Sequence, residues 1–163
     1  MQTIFSYFYP NIIEVQYLDP TIFTVRNRIV YSRTIKVYQG IDNPIQLMIK
    51  NQDQKAVNTT GYAVQLDIQD PDVKGSLDSI PIIMSNVTLG QGTCTITKAM
   101  ANALAQRFYK LTVKLINTTT NAEQPLYIDD NYGAMIDLEV LPGWYESTPN
   151  TINNTVIIDG GTI

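Results

Sequence analysis

Apolar and polar positions alternate along most of the chain. In "RTIKVYQG", Ile35 and Val37 share one face, and in "PIQLMIKN" Ile45, Leu47 and Ile49 do the same. "YAVQLDIQD" brings Val64, Leu66 and Ile68 together, and "AMIDLEVLP" does so with Ile136, Leu138 and Val140. A period of two marks a strand with one buried face. "SIPIIMSNVTL" reads as a further strand, with Pro81 marking an edge or a bend because proline has no N–H to give a ladder. "GTCTITK", "RFYKLTVKLIN" and "QPLYIDD" complete the set. The polar segments "NQDQKAVN", "PDVKGSLD" and "TTTNAE" separate strands, and Gly90 and Gly92 mark a tight turn. About eight short alternating strands at this spacing predict an all-β sandwich or barrel.

One stretch breaks the pattern. "AMANALAQ", Ala99 to Gln106, is rich in helix formers yet lies between two strands. It is too short to be a stable helix alone. Between strands it predicts a helical turn that carries the chain from one sheet to the other. Met100, Ala103 and Leu104, at i, i+3 and i+4, are expected to plug an open end of the sandwich. Phe108 or Tyr109 then enters the core, according to register.

The sequence divides into an extended N-terminal arm (1–28), a body (29–142) and a C-terminal tail (143–163). In the arm, Phe5, Tyr7, Phe8 and Tyr9 crowd together ahead of Pro10 and Pro20, which oppose a continuous helix. Its large side chains need a surface, on its own body or on a neighbour. In the tail, Trp144 and Tyr145 follow Pro142, and Val156, Ile157 and Ile158 form a short strand in "TVIID". A lone terminal strand adds to its own sheet or to a neighbour's exposed edge.

The length of 163 residues suits one domain with a real core. The net charge of −4 is unevenly spread. Residues 1–40 hold Arg26, Arg28, Arg33 and Lys36 against Glu14 and Asp19, 4 − 2 = +2, which leaves −6 for the rest. That asymmetry favours attraction between like subunits. It is a poor match to nucleic acid, which calls for clustered positive charge. The N-terminus has no basic leader and no sustained apolar run, so neither a signal peptide nor a membrane span is read.

Candidate chemistry is thin. The absence of histidine removes the commonest general base and metal ligand. The lone Cys94 shares parity with Ile96 and is expected as a small buried apolar residue. "GQG" at Gly90 opens no helix and makes no phosphate loop. Carboxylates gather at Asp67, Asp70 and Asp72, at Asp129 and Asp130, and at Asp137 and Glu139. "DPD" and "DDNYG" are the calcium candidates, but Asx turns and solvated loops account for them more simply. No catalytic residue, metal site or cofactor is assigned, and the chain is expected not to be an enzyme.

The order of the body's segments resembles a family. "RTIKVYQGIDNPIQLMIKNQDQKAVN", then "GYAVQLDIQD", then "GTCTITKAMANALAQRFYKLTVKL", then "QPLYIDDNYG" are similar to the immunoglobulin-like module of tailed-phage structural proteins, seen at the N-terminus of upper baseplate proteins. "RNRIVYSRTIKVY" and "EQPLYIDDNYG" resemble small virion proteins of marine T4-like myoviruses. Arg107-Phe108-Tyr109 stands where the pattern often has Gly-x-Tyr.

The resemblance covers residues 26–141 and carries no catalytic residues. It implies an immunoglobulin-like β-sandwich of about eight strands, one short helix and extended arms. It further implies a virion building block of the tail, baseplate, neck or fibre attachment, assembled in the host cytoplasm. The expected partners are other virion structural proteins and further copies of the chain, with no nucleic acid and no membrane. The interchain candidates are Phe5, Tyr7, Phe8, Tyr9, Arg26, Arg28, Trp144, Tyr145, Val156, Ile157 and Ile158, since aromatic and arginine side chains dominate interface hot spots. Two rival roles are a capsid decoration protein and a host-glycan-binding module using Tyr127, Tyr132 and Trp144.

Overall fold

The computed structural model describes residues 11–22, 34–73, 75–126 and 135–143. Its strands are β1 (Asn11–Tyr17), β2 (Ile35–Tyr38), β3 (Asn43–Asn51), β4 (Tyr62–Gln69), β5 (Ser76–Asn86), β6 (Gln91–Ile96), β7 (Phe108–Asn117), β8 (Glu123–Leu126) and β9 (Ile136–Leu141), with one helix, α1 (Lys98–Ala103). The strand order is β1-β3-β6-β5-β4-β7-β9-β2, with β8 beside β7. The eight alternating segments of the body become β2 to β9.

β5 belongs to both layers. Residues 76–82 pair with β4, and residues 83–86 pair with β6. One layer is therefore β1-β3-β6-β5 and the other β4-β7-β9-β2, with β5 turning along its length from the second to the first. This is the order A-B-E-D against C-F-G of the immunoglobulin fold, with one strand added beside G. Two pairs are parallel, β1 with β3 and β2 with β9. The side chain of Asn11 on β1 donates from Nδ2 to the carbonyl of Lys36 on β2 at 3.1 Å, so the two ends of the strand order nearly meet.

A single core fills the space between the layers. All the apolar residues assigned inward on the four alternating segments are buried: Ile35, Val37, Ile45, Leu47, Ile49, Val64, Leu66, Ile68, Ile136, Leu138 and Val140. Cys94 and Ile96 lie among them. Residues 11–17, within the stretch expected to be an arm, are indeed extended. They lie on the chain's own body as β1, with Ile13 3% and Val15 1% exposed.

Pro81 sits at the end of the stretch in which β5 pairs with β4, one residue before the partners change beyond Ile82. It lies on the side of β5 left unpaired along residues 76–82, an edge position suited to its missing N–H. Leu77, nearby, is the extra residue of a β-bulge, since Asp78 opposes Ile68 while Ser76 opposes Gln69. β8 and β9 lie end to end along β7. Leu126 opposes Val113 and Ile136 opposes Leu111, two positions further along β7.

The helical turn joins β6 of one layer to β7 of the other, as its place between strands predicts. Thr97 caps it, its hydroxyl accepting from the Met100 amide at 3.3 Å. The residues that seal the core differ from the expected set. Ala101 and Leu104 are buried and Met100 packs partly against the core, while Ala103 faces solvent. The helix ends at Ala103, and Leu104 is already extended, with φ −85 and ψ 140. A six-residue helix is too short for the i, i+3, i+4 stripe to run its course. Gly92 is also placed differently. It lies inside β6, where a Cβ would come within 2.6 Å of Ile82 Cγ2 and 2.8 Å of Met84 Sδ. Gly90 alone has the turn conformation, φ +60.

Candidate interaction surfaces

The two outer faces of the sandwich differ in chemistry, and strand register shows why. On the β1-β3-β6-β5 layer, Ile12 pairs with Gln46, Gln46 with Thr93, and Thr93 with Ile83. These residues form one outward row across the sheet, with Ile12 52% and Ile83 74% exposed at its two ends. The adjoining pairs are Pro44 with Thr95 and Met48 with Gln91. The charges recorded on this face are Glu14 and Lys50, paired at 2.9 Å.

The other layer carries a lattice of charge. Asp67 on β4 is buried and accepts at Oδ1 from Gln65 Nε2 and from Ser79 Oγ, both at 2.6 Å. Lys114 on β7 stands 3.6 Å from Asp67 and 3.1 Å from Glu123 on β8. The hydrogen bond to Glu123, with the charge of Asp67 adding to it, holds the Lys114 ammonium above its ordinary range. Lys110 pairs with Asp137, and Lys36 lies across from Glu139. The cations and anions of this face are largely matched within the chain. The exposed pairs among them contribute on the order of 0.2–1 kcal/mol each. Their effect is to leave little net charge for a partner.

At one end of the sandwich, α1 and the β2–β3 turn are joined by hydrogen bonds. Gln39 donates from Nε2 to the Leu104 carbonyl at 2.8 Å, and the Gly40 amide donates to Asn102 Oδ1 at 2.8 Å. The Lys98 amide donates to Asp42 Oδ1 at 2.7 Å. Beside them, Tyr109 is buried and Phe108 is 56% exposed, which decides between the two aromatics. Arg107 lies 4.9 Å over the Tyr109 ring and bonds to Asp70 and Asp72. The "DPD" carboxylates, a calcium candidate by sequence, are thus engaged by a guanidinium. The Asp72 amide and then Arg107 keep the Asp70 carboxyl below its ordinary range. Among the described residues no group of three or more His, Cys, Asp or Glu side chains is placed to hold a metal ion. Burial pushes the Cys94 thiol up to about 11, so it is a packing residue and a poor nucleophile.

The interchain candidates Phe5, Tyr7, Phe8, Tyr9, Arg26, Arg28, Trp144, Tyr145, Val156, Ile157 and Ile158 lie outside the described residues. So do Tyr127, Tyr132 and the "DDNYG" segment. Sequence reasoning missed the charge-poor outer face. Its signal lay in the outward positions of β3 and β6, where Pro44, Gln46, Met48, Gln91, Thr93 and Thr95 are all uncharged and the one charge, Lys50, is matched by Glu14.

No protein-family model matches the chain, and no curated protein matches its sequence. Among solved structures, the N-terminal domain of phage TP901-1 ORF48 matches 82% of this chain and 98% of its own length, with a TM-score of 0.50 and 8% sequence identity. A filamin domain of Lin-41 matches 65% of this chain and 84% of its own, with a TM-score of 0.34 and 16% identity. At 8% identity, the phage domain and this chain have a fold in common.

Proposed function

We propose that this protein is a non-enzymatic structural component of a tailed-phage virion, in the tail, baseplate, neck or fibre attachment. It assembles as a homo-oligomer and with other virion proteins. The observation that carries this reading is the fold match to a phage domain over nearly the whole of that domain. It agrees with the segment order that resembles tailed-phage immunoglobulin-like modules. The finer likeness to marine T4-like proteins rests on two sequence segments alone.

In this reading the sandwich is a rigid spacer, and attachment comes from the terminal segments and the charge-poor face. Phe5, Tyr7, Phe8, Tyr9, Trp144, Tyr145 and Val156 to Ile158 supply apolar anchors, while Arg26 and Arg28 meet the acidic body of a neighbour. Aromatic anchors bury much area while few torsions are frozen.

Light scattering tests the proposal on the full chain beside a version trimmed to residues 11–143. The trim begins at Asn11 because Ile13 and Val15 belong to the core. The expected result is a defined oligomer for the full chain and a folded monomer for the trimmed one. Two monomers of equal thermal stability would defeat self-assembly. Capsid decoration and glycan binding would then be the roles to test, by position on the particle and by a glycan array.

A further inference from the structure

We infer that β1 is an exchangeable strand: in the assembled state, Asn11–Tyr17 of one copy lies on the β3 edge of another. The occupant of that edge is a second copy of this chain, and the inference rests on the self-assembling reading above.

β1 closes one end of the strand order, and its backbone pairing among the described residues is with β3. That pairing is parallel, the slightly weaker kind per residue. Its link across to β2 is a side chain, Asn11, on the Lys36 carbonyl. The strand is nonetheless indispensable to the core, because it places Ile13 and Val15 there. A vacated β3 edge therefore needs a replacement with apolar residues at the same two positions, a partner for Lys50 where Glu14 stands, and seven residues in register. The same strand of another copy meets every one of these demands.

The connection is long enough. After β1, the Asp19 amide donates to Gln52 Oε1 at 3.1 Å, and Gln52 Nε2 donates to the Asp19 carbonyl at 3.0 Å. Asn11 to Ile22 is therefore taken as the exchanging unit, lying along β3 and Gln52, and residues 23–34 connect it to β2, 34 − 23 + 1 = 12 residues. Twelve residues reach about 40 Å when extended. Within one chain they need to return only the length of β1, about 20 Å at a strand's rise per residue, because Asn11 already touches Lys36. The surplus lets the unit cross to a neighbour while β2 stays on β9. Closed and exchanged forms make the same strand contacts, so the choice is set by how close a second copy is held. An isolated chain keeps its own strand, and an assembling one passes it on.

Cysteine pairing tests this in the full-length chain, with Cys94→Ala removing the lone native thiol. Ile12→Cys goes into one preparation and Gln46→Cys into another, since the two positions are register partners on the outer face. The two are unfolded together, refolded, allowed to assemble and oxidised. The expected result is a covalent dimer whose linking peptide joins position 12 to position 46. The inference is overturned if the mixed chains co-assemble by light scattering without that link, while the Ile12→Cys/Gln46→Cys double variant closes within one chain. That outcome leaves the assembly reading standing. Absence of any assembly by the full chain would overturn both. Should the first pair impair folding, Glu14→Cys with Met48→Cys repeats the test at the next outward register pair.

Discussion

The hydroxyl of Tyr109 accepts a hydrogen bond at 2.9 Å from the amide of Ala105, four residues upstream. The bond ties the start of β7 to the end of the crossover from β6. It has the form of the tyrosine corner, in which a tyrosine at the beginning of strand F bonds back to the preceding backbone. Arg107 covers the ring and reaches Asp70 and Asp72, so the same corner also secures the segment after β4.

Tyr109→Phe keeps the ring in the core and leaves the Ala105 amide without this acceptor. The expected loss is about 1 kcal/mol, the net worth of a typical hydrogen bond, and more if the freed amide stays out of water. Urea unfolding should show a lower midpoint with an unchanged slope. An unchanged midpoint would remove the corner from the account of stability.

Ile12 and Ile13 are adjacent and should behave oppositely. Ile13→Ala deletes buried methyl groups and is expected to cost on the order of 2–5 kcal/mol. Ile12→Thr changes an exposed position and should stay within about 0.5 kcal/mol. Thermal unfolding of the two variants in parallel checks that β1 is a core strand.

Gly90→Ala should destabilise by more than about 1 kcal/mol. The backbone there has φ +60, and a Cβ would lie 2.8 Å from the carbonyl oxygens of both Ile49 and Val57. The Ile49 amide donates to the Gly90 carbonyl at 2.8 Å, so the turn cannot shift without loosening β3. Gly61→Ala is the control: it shares a positive φ, but nothing lies within 4 Å of its added Cβ. The difference between the two variants in chemical denaturation measures the crowding apart from the φ strain.

Cys94 should resist thiol reagents at pH 8, because burial and a pKa of about 11 withhold its thiolate. Labelling in native buffer is expected to follow global unfolding, rising with denaturant as the unfolded population rises. Fast labelling of the native chain would show that β6 opens locally.

Asp70 gives stability a pH dependence with a definite sign. Its carboxyl titrates below the ordinary value when folded, chiefly through the Asp72 amide and then Arg107. The contribution is therefore present above the unfolded value, about 3.9, and is lost as pH falls through the lowered folded value. The parent chain should exceed Asp70→Asn in melting temperature near neutrality, with the gap closing in acid. A gap independent of pH would assign the effect to geometry and not to charge.

The sandwich was largely legible because alternation is a local property. Val64, Leu66 and Ile68 declare their face whatever strand they pair with. The same parity runs from Tyr109 through Leu111, Val113 and Leu115, all buried, so the rule could have chosen Tyr109 over Phe108. β1 was harder. Ile13 and Val15 alternate as strongly as any pair, but the strand's parallel partner β3 lies more than 30 residues away, and Pro10 and Pro20 on either side of β1 read as the punctuation of an arm. The helix seal was misplaced because Thr97 fixes where α1 starts and the backbone ends it after six residues. The charge-poor outer face depends on which strands are neighbours, which alternation does not encode.

β5 breaks its own straight edge with the bulge at Leu77 and the proline at 81. In the assembly proposed above, a copy waiting for its place is exposed to every other copy in the meantime. A kinked border with a missing donor gives a passing chain no continuous template on which to extend. Under that proposal, joining is a matter of specific docking and not of runaway sheet stacking.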